Sequence, residues 1–374
     1  VRDGLPAIRA SGAVSCLRRV AANAAGETDR LPGWGPYRMT APIEVSGKSA
    51  EAQPEAAAAG LSQKAIQGRS LGQIAWMRLK RDKVAMAAGI LVGIFIVAAI
   101  AAFFLDSVFG VIDPRLKFNE DMLDPNTGMP ITGMGGISWD HPLGIEPATG
   151  HGRDILTRIF AGSWISLLIG FAATLLSVII GAIMGVIAGY FRGWVDTVIS
   201  RAMDMFLAFP LLLFAIALVG VVPDDAFGLT GDWPRIFVLV FIIGFFNWPY
   251  IGRIVRAQTL SLREREFVDA ARSLGGRSPY ILFKELLPNL MAPLLVYSTL
   301  LIPTNILFEA ALSFLGVGVR PPTPTWGGML SDATSFYQVD PWFMIFPGLA
   351  IFVTVLAFNL LGDGLRDALD PRSR

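Results

Sequence analysis

Asn305 and Glu309 stand four residues apart in a long, mostly apolar run from Leu290 to Leu312. On a helix that spacing puts both on one face. A carboxylate and a carboxamide in such a run are costly unless they meet other protein groups or a water-filled path. Two chemistries satisfy this: lining the route of a solute, or hydrogen bonding to a neighbouring helix. Asn247 and Asn359 pose the same alternative in two other apolar runs. Bond-breaking chemistry finds no support. No Ser/His/Asp set, HExxH pair or paired-carboxylate site emerges. The sequence has only two histidines, His141 and His151, so a protein-built zinc site is not expected, and its one cysteine, Cys16, excludes an intrachain disulfide. Gly47-Lys48-Ser49 echoes the end of a phosphate-binding loop, but the first glycine of that pattern would fall on Pro42.

A second constellation, Asp269 to Pro288, is charged and lies between two runs apolar enough to span a membrane. Phe267, Val268, Ala271 and Leu274 fall at helical spacing, with Arg263, Glu264, Asp269 and Arg272 largely on other faces. Gly275 and Gly276 should end this helix. Ser278 as N-cap and Pro279 in the first turn should start another, ending near Pro288. Small Ala270, Ala271 and Gly275 would let another protein approach the backbone closely.

The elements that hold these residues follow from composition. Hydrophobic residues make up 53% of the 374-residue chain and charged residues 16%, against roughly 25% charged in ordinary soluble domains. A net charge of +1 gives no reason to expect nucleic-acid binding. Since a bilayer core about 30 Å thick needs roughly 20 apolar helical residues, six spans are expected: Val84 to Leu105, Trp164 to Ala188, Met203 to Val222, Ile236 to Ile254, Leu290 to Leu312 and Trp342 to Leu361. Arg78, Lys80, Arg81 and Lys83 precede the first. Arg192 and Arg201 follow the second, seven basic residues from Arg253 to Lys284 follow the fourth, and Arg366, Arg372 and Arg374 close the chain. With six spans these all face one side, placing both termini and the hairpin in the cytoplasm. Trp164, Trp194, Trp233, Trp248 and Trp342 read as lipid-interface anchors. Gly181, Gly185 and Gly189, one turn apart, read as a close-packing seam. Residues 1–65 have the composition of a disordered tail, and Met39 opens a polar leader of more usual composition, as a start downstream of Val1 would. Residues 66–374 should form the membrane domain.

The pattern D-A-A-x3-G-x11-L-P, carried by Asp269, Ala270, Ala271, Gly275, Leu287 and Pro288, resembles the coupling loop of ABC-importer permeases, E-A-A-x3-G-x9-I-x-L-P. Asp269 replaces Glu with the carboxylate kept, and Glu285 stands where Ile is usual. Leu312 to Arg372 resembles the C-terminal end of the dipeptide/oligopeptide/nickel-type permeases. His141-Pro142-Leu143-Gly144 followed by Gly152-Arg153-Asp154 resembles that family's HPLG-x4-GRD segment, here with about three extra residues. The single N-terminal span, the long loop after it and the GRD segment look like the "C" permease subunit.

The resemblance covers Leu79 to Arg374. It implies an all-α polytopic fold of six transmembrane helices with a cytoplasmic coupling hairpin, the coupling loop running over about 256–289. It also implies an inner-membrane permease without an ATPase site of its own, forming half of the translocation pathway of an importer for di- or oligopeptides, nickel complexes or another small solute. Its expected partners are a second permease, two cytosolic ATPase subunits or domains that bind ATP and Mg, an extracytoplasmic substrate-binding protein and the lipid bilayer. Asn305 and Glu309 are its candidate path residues. The rival reading, an ion-gradient-driven secondary transporter, would need an intramembrane ion site and no docking hairpin. The Pro-rich segment Gly316 to Met329 cannot cross lipid and should lie outside or against protein, either docking the binding protein or capping the fold.

Overall fold

The computed structural model describes residues 71–116, 122–124, 126–131, 133–147, 152–221, 223, 228 and 231–369. The expected tail, 1–65, lies outside them, as does His151. The described chain is helical: α1 (Leu71–Leu79), α2 (Lys83–Phe103, extended by a π turn, Phe104–Val108), α3 (Ile155–Phe191), α4 (Gly193–Ala208), α5 (Leu211–Val221), α6 (Trp233–Leu262), α7 (Glu266–Ser273), α8 (Ser278–Phe314), α9 (Trp326–Ala333) and α10 (Trp342–Leu369).

Five helices, α2, α3, α6, α8 and α10, are long and apolar enough to cross a membrane, and the bent pair α4 and α5 makes a sixth if counted as one span. The expected third span, Met203 to Val222, is therefore corrected to two helices meeting at 80°. Pro210 causes the break. It has no N–H to continue the ladder, and it pushes Phe209 to extended backbone (φ −73°, ψ 130°).

Side-chain caps set the starts of α2 and α3. Asp82 Oδ1 accepts from the Val84 and Ala85 N–H groups at 2.9 and 3.1 Å, and Asp154 Oδ2 from Thr157 N–H at 2.7 Å. The expected glycine seam is the packing line between α3 and α6. A Cβ at Gly181 would stand 2.7 Å from the Trp248 carbonyl, one at Gly185 2.6 Å from the Gly252 carbonyl, and one at Gly189 2.9 Å from the Arg256 carbonyl. Gly170 gives α3 the same close approach to Ile306 of α8, and Gly364 gives α10 a close approach to Ala85 of α2. Trp248, expected at a lipid interface, is instead buried in mid-α6 and packs edge-on against Phe206.

Candidate functional site

The hairpin turns a tight corner. α7 ends in a Schellman motif: Gly276 N–H donates to the Ala271 carbonyl and Gly275 N–H to the Arg272 carbonyl, both at 2.9 Å, with Gly275 at φ +83°. That left-handed position is why a glycine ends the helix here. Asp269, Ala270, Leu274 and Gly275 are exposed, Leu274 by 89%, while Ala271 is half-buried. Asp269 pairs with Arg272 at 3.1 Å. Beneath this surface Val268 is fully buried in a cluster with Val186 of α3, Val255 of α6 and Leu286 of α8. This cluster thus ties α7 to three spanning helices.

Polar contacts reinforce the anchorage. Arg263 donates to the Tyr190 carbonyl at 2.5 Å, and its guanidinium and that of Arg272 lie 6.0 and 5.7 Å from the Tyr190 ring centroid. Arg192 pairs with Glu264. Burial, then the nearby Arg192 and Arg272 guanidiniums, push the Arg263 pKa below its usual value.

The second half of the hairpin differs from its expectation in two ways. Arg277, in extended backbone, occupies the cap position, so Ser278 is the first helical residue. Nor does the helix stop near Pro288: it runs unbroken from Ser278 to Phe314. A π turn over Ile281–Leu286 precedes the proline, with Leu287 N–H donating to the Leu282 carbonyl. The wider turn accommodates the ring that would otherwise strike a carbonyl one α-turn back. Leu287 is half-buried and Pro288 exposed, both on α8, one element beyond the corner made by Asp269 to Gly275.

Asn305 and Glu309 are both fully buried inside the chain. Asn305 Oδ1 accepts from Asn247 Nδ2 at 2.8 Å, and its Nδ2 donates to Thr174 Oγ1 at 2.9 Å, so one carboxamide joins α8 to α6 and α3. Glu309 Oε1 accepts from Ser313 Oγ at 2.8 Å, while its Oε2 has no hydrogen-bond partner among the described residues. Asn305 thus bonds between helices, whereas the Glu309–Ser313 bond stays within α8. Asn359 takes no part in this network among the hydrogen bonds of the described residues.

At the opposite end of α3 the HPLG and GRD segments close on each other. His141 Nδ1 lies 2.9 Å from Asp154 Oδ1, and Glu146 N–H donates to the Arg153 carbonyl at 2.9 Å. Sequence reasoning missed the centre of this assembly. Buried Glu146 accepts a bidentate pair from Arg153 at 2.7 and 2.8 Å and a further bond from Arg158, whose other terminal nitrogen lies 3.6 Å from Asp332. An arginine in the first turn of an otherwise apolar helix was the available signal. Burial pushes the Asp332 pKa up against the opposing pull of Arg158, and burial also raises that of Asp340.

Residues 177–374 match the family described as binding-protein-dependent transport system inner membrane component, and residues 70–114 match the N-terminal TM domain of oligopeptide transport permease C. The chain is 40% identical over 300 residues to a dipeptide transport system permease protein, DppC, of Alkalihalophilus pseudofirmus, covering 80% of this chain and 90% of that one. It is 40% identical over 297 residues to a glutathione transport system permease protein, GsiD, of Pectobacterium atrosepticum, covering 79% and 90%. An inward-facing structure of the MetNI methionine ABC transporter aligns with a TM-score of 0.47 at 19% identity over 58% of this chain and 98% of that one. The chain belongs to the binding-protein-dependent transport system inner membrane components, as a multi-pass permease of the C type.

Proposed function

We propose that this chain forms one half of the translocation pathway of an ATP-driven importer of short peptides, a second permease subunit supplying the other half. The dipeptide and glutathione relatives support the substrate class. ATP and Mg2+ are bound by two partner ATPase subunits or domains, and an extracytoplasmic binding protein delivers the peptide. Both termini and the hairpin face the cytoplasm, in keeping with the basic residues of the hairpin, Arg265, Arg277 and Lys284 among them.

The observation that carries the reading is the two-sidedness of α7. Its outer surface, Asp269, Ala270, Leu274 and Gly275, is uncovered and includes an almost fully exposed leucine, while its inner surface joins α3, α6 and α8 in the cluster that holds Val268. A motor pressing on that outer surface would move three spanning helices together. ATP-driven closure of the ATPases would then reach the bundle as a rigid-body displacement.

Ala270→Trp and Leu274→Glu alter only exposed positions. In cells expressing the whole transporter, both should abolish peptide uptake, and ATPase subunits should be lost when the complex is purified through this chain. Normal uptake with retained ATPases would refute docking at α7. Orientation is tested with single cysteines at Trp139, wholly exposed, and at Arg265 in a Cys16-free background. An impermeant thiol reagent applied to intact cells should label the first and spare the second.

A further inference from the structure

A cavity of about 100 Å³ lies between the first turn of α3, the end of α8 and the loop into α9. Arg158, Ser313, Arg320, Thr325, Ser331 and Asp332 line it. It sits at the end of α3 and α8 remote from the hairpin, and neither the coupling surface nor the Asn305 network uses it. Arg158 is 2% exposed, yet its Nε has no hydrogen-bond partner among the described residues. A buried guanidinium with an unused N–H is uncommon, because the missing bond carries the full desolvation cost of that donor.

The ion pairs around it do not reach that N–H either. Arg153 and Arg158 share a single buried carboxylate, Glu146, which already gives Arg153 a bidentate pair. The remaining acid, Asp332, stands 3.6 Å from Arg158 Nη2, within ion-pair reach but beyond hydrogen-bond range. The Arg158 Nε–H is left without an acceptor among the described residues, beside a space lined by hydroxyl groups. The volume suits a carboxylate and a water or two, a water occupying about 30 Å³, and is too small for a whole peptide.

We propose that this pocket is a carboxylate-binding socket in which Arg158 is the buried donor. The chemical class follows from the pocket itself. Its source rests on the importer reading: the carboxylate belongs either to the C-terminus of a peptide passing this end of the bundle or to an acidic side chain of the binding protein seated there.

The test uses the purified transporter complex and acetate as the probe. Acetate should raise the melting temperature saturably, and chloride at equal ionic strength should not. Ser331→Glu places a carboxylate in the socket from within the chain, so it should raise the melting temperature without acetate and abolish the acetate response. Asp332→Asn removes the competing acid and should lower the half-saturating acetate concentration, on the order of tenfold for one recovered charge-assisted bond. Equal responses to acetate and chloride, or an unaltered acetate response in both variants, would overturn the socket whatever the complex transports.

The source is read from two further arms. A response to Ala-Ala but not to its C-terminal amide, without binding protein, assigns the socket to the substrate terminus. Loss of binding-protein capture in Ser331→Glu with no dipeptide response assigns it to an acidic side chain of that protein. Absence of both would count against the proposal.

Discussion

The Arg272 guanidinium lies 5.7 Å from the centroid of the Tyr190 ring, joining the exposed hairpin helix to the last turn of α3. Arg263 approaches the same ring at 6.0 Å and donates to the Tyr190 carbonyl. One aromatic side chain therefore collects two cations, one from the C-cap of α6 and one from the last turn of α7. Any force on α7 reaches α3 here as well as through Val268.

Tyr190→Leu removes the ring face while leaving the backbone carbonyl bond to Arg263. A cation–π contact of this partly exposed kind contributes about 0.5–1 kcal/mol, so coupling should fall roughly two- to fivefold without loss of assembly. The measurement is peptide taken up per ATP hydrolysed in proteoliposomes. Tyr190→Phe, which keeps the ring, should retain the native ratio, and equal losses in both variants would show that the hydroxyl group or general packing matters instead.

The α3–α6 seam yields a contrast between glycines. A Cβ at Gly185 would stand 2.6 Å from the Gly252 carbonyl and 2.7 Å from Val255 Cβ, with no flexible side-chain end able to yield. Gly185→Ala should therefore force the helices apart, at a cost of about 1–3 kcal/mol. Gly93 of α2 meets nothing within 4 Å, so Gly93→Ala should be neutral or gain up to about 1 kcal/mol of helix propensity. Thermal denaturation of the purified complex compares them, and similar melting temperatures would show that the seam tolerates separation.

Much of this arrangement could be read from residue types because its causes are local. Apolar length marked the spanning helices, and the three small residues on one α3 face marked the seam before any partner helix was known. The pair Gly275-Gly276 marked the end of α7. What was not legible depended on how neighbouring signals compete. Pro210 lay in plain view within Met203 to Val222, but average hydropathy gives a chain-breaking residue no weight. Pro288 misled in the opposite sense, since a π turn let α8 continue. Glu146, Arg153 and Arg158 carry no periodicity, and only the closure of the Ile145–Asp154 bridge brings them together.

Asp340 supplies a pH signature. Its side chain is buried, Oδ1 accepts from Trp342 N–H at 3.2 Å, and Oδ2 has no partner among the described residues. Burial raises its pKa in the folded protein above the unfolded carboxylate value of about 3.9. The folded state thus holds this proton more tightly. The stability it contributes is complete below the unfolded pKa and is lost as pH rises through the raised, folded one. Asp340→Asn keeps an acceptor for Trp342 and cannot ionise, so the melting temperature of the variant should fall less between pH 4 and pH 8, read against wild type as a difference. Parallel profiles would mean that Asp340 ionises freely, and Asp332, raised in the same direction, is common to both proteins.

The Asn247–Asn305–Thr174 chain decides between the two roles first open to the buried polar residues. Asn305→Leu leaves the Asn247 amide and the Thr174 hydroxyl without their partner in the bundle interior, whereas Asn247→Leu/Asn305→Leu removes both carboxamides together. If the chain fixes helix packing, the double variant should be less destabilised than the sum of the singles. The coupling energy should be about 0.6 kcal/mol, the average for hydrogen bonds between membrane helices, and at most about 1.7 kcal/mol. Uptake per correctly assembled complex should stay near native in all three, because neither side chain reaches solvent in this conformation. Glu309→Gln, which retains an acceptor for Ser313, should likewise transport normally. Normal stability combined with a collapse of uptake in Asn305→Leu or Glu309→Gln would return these residues to the path of the solute. It would also require that path to open between α3, α6 and α8, within this chain and away from its outer faces.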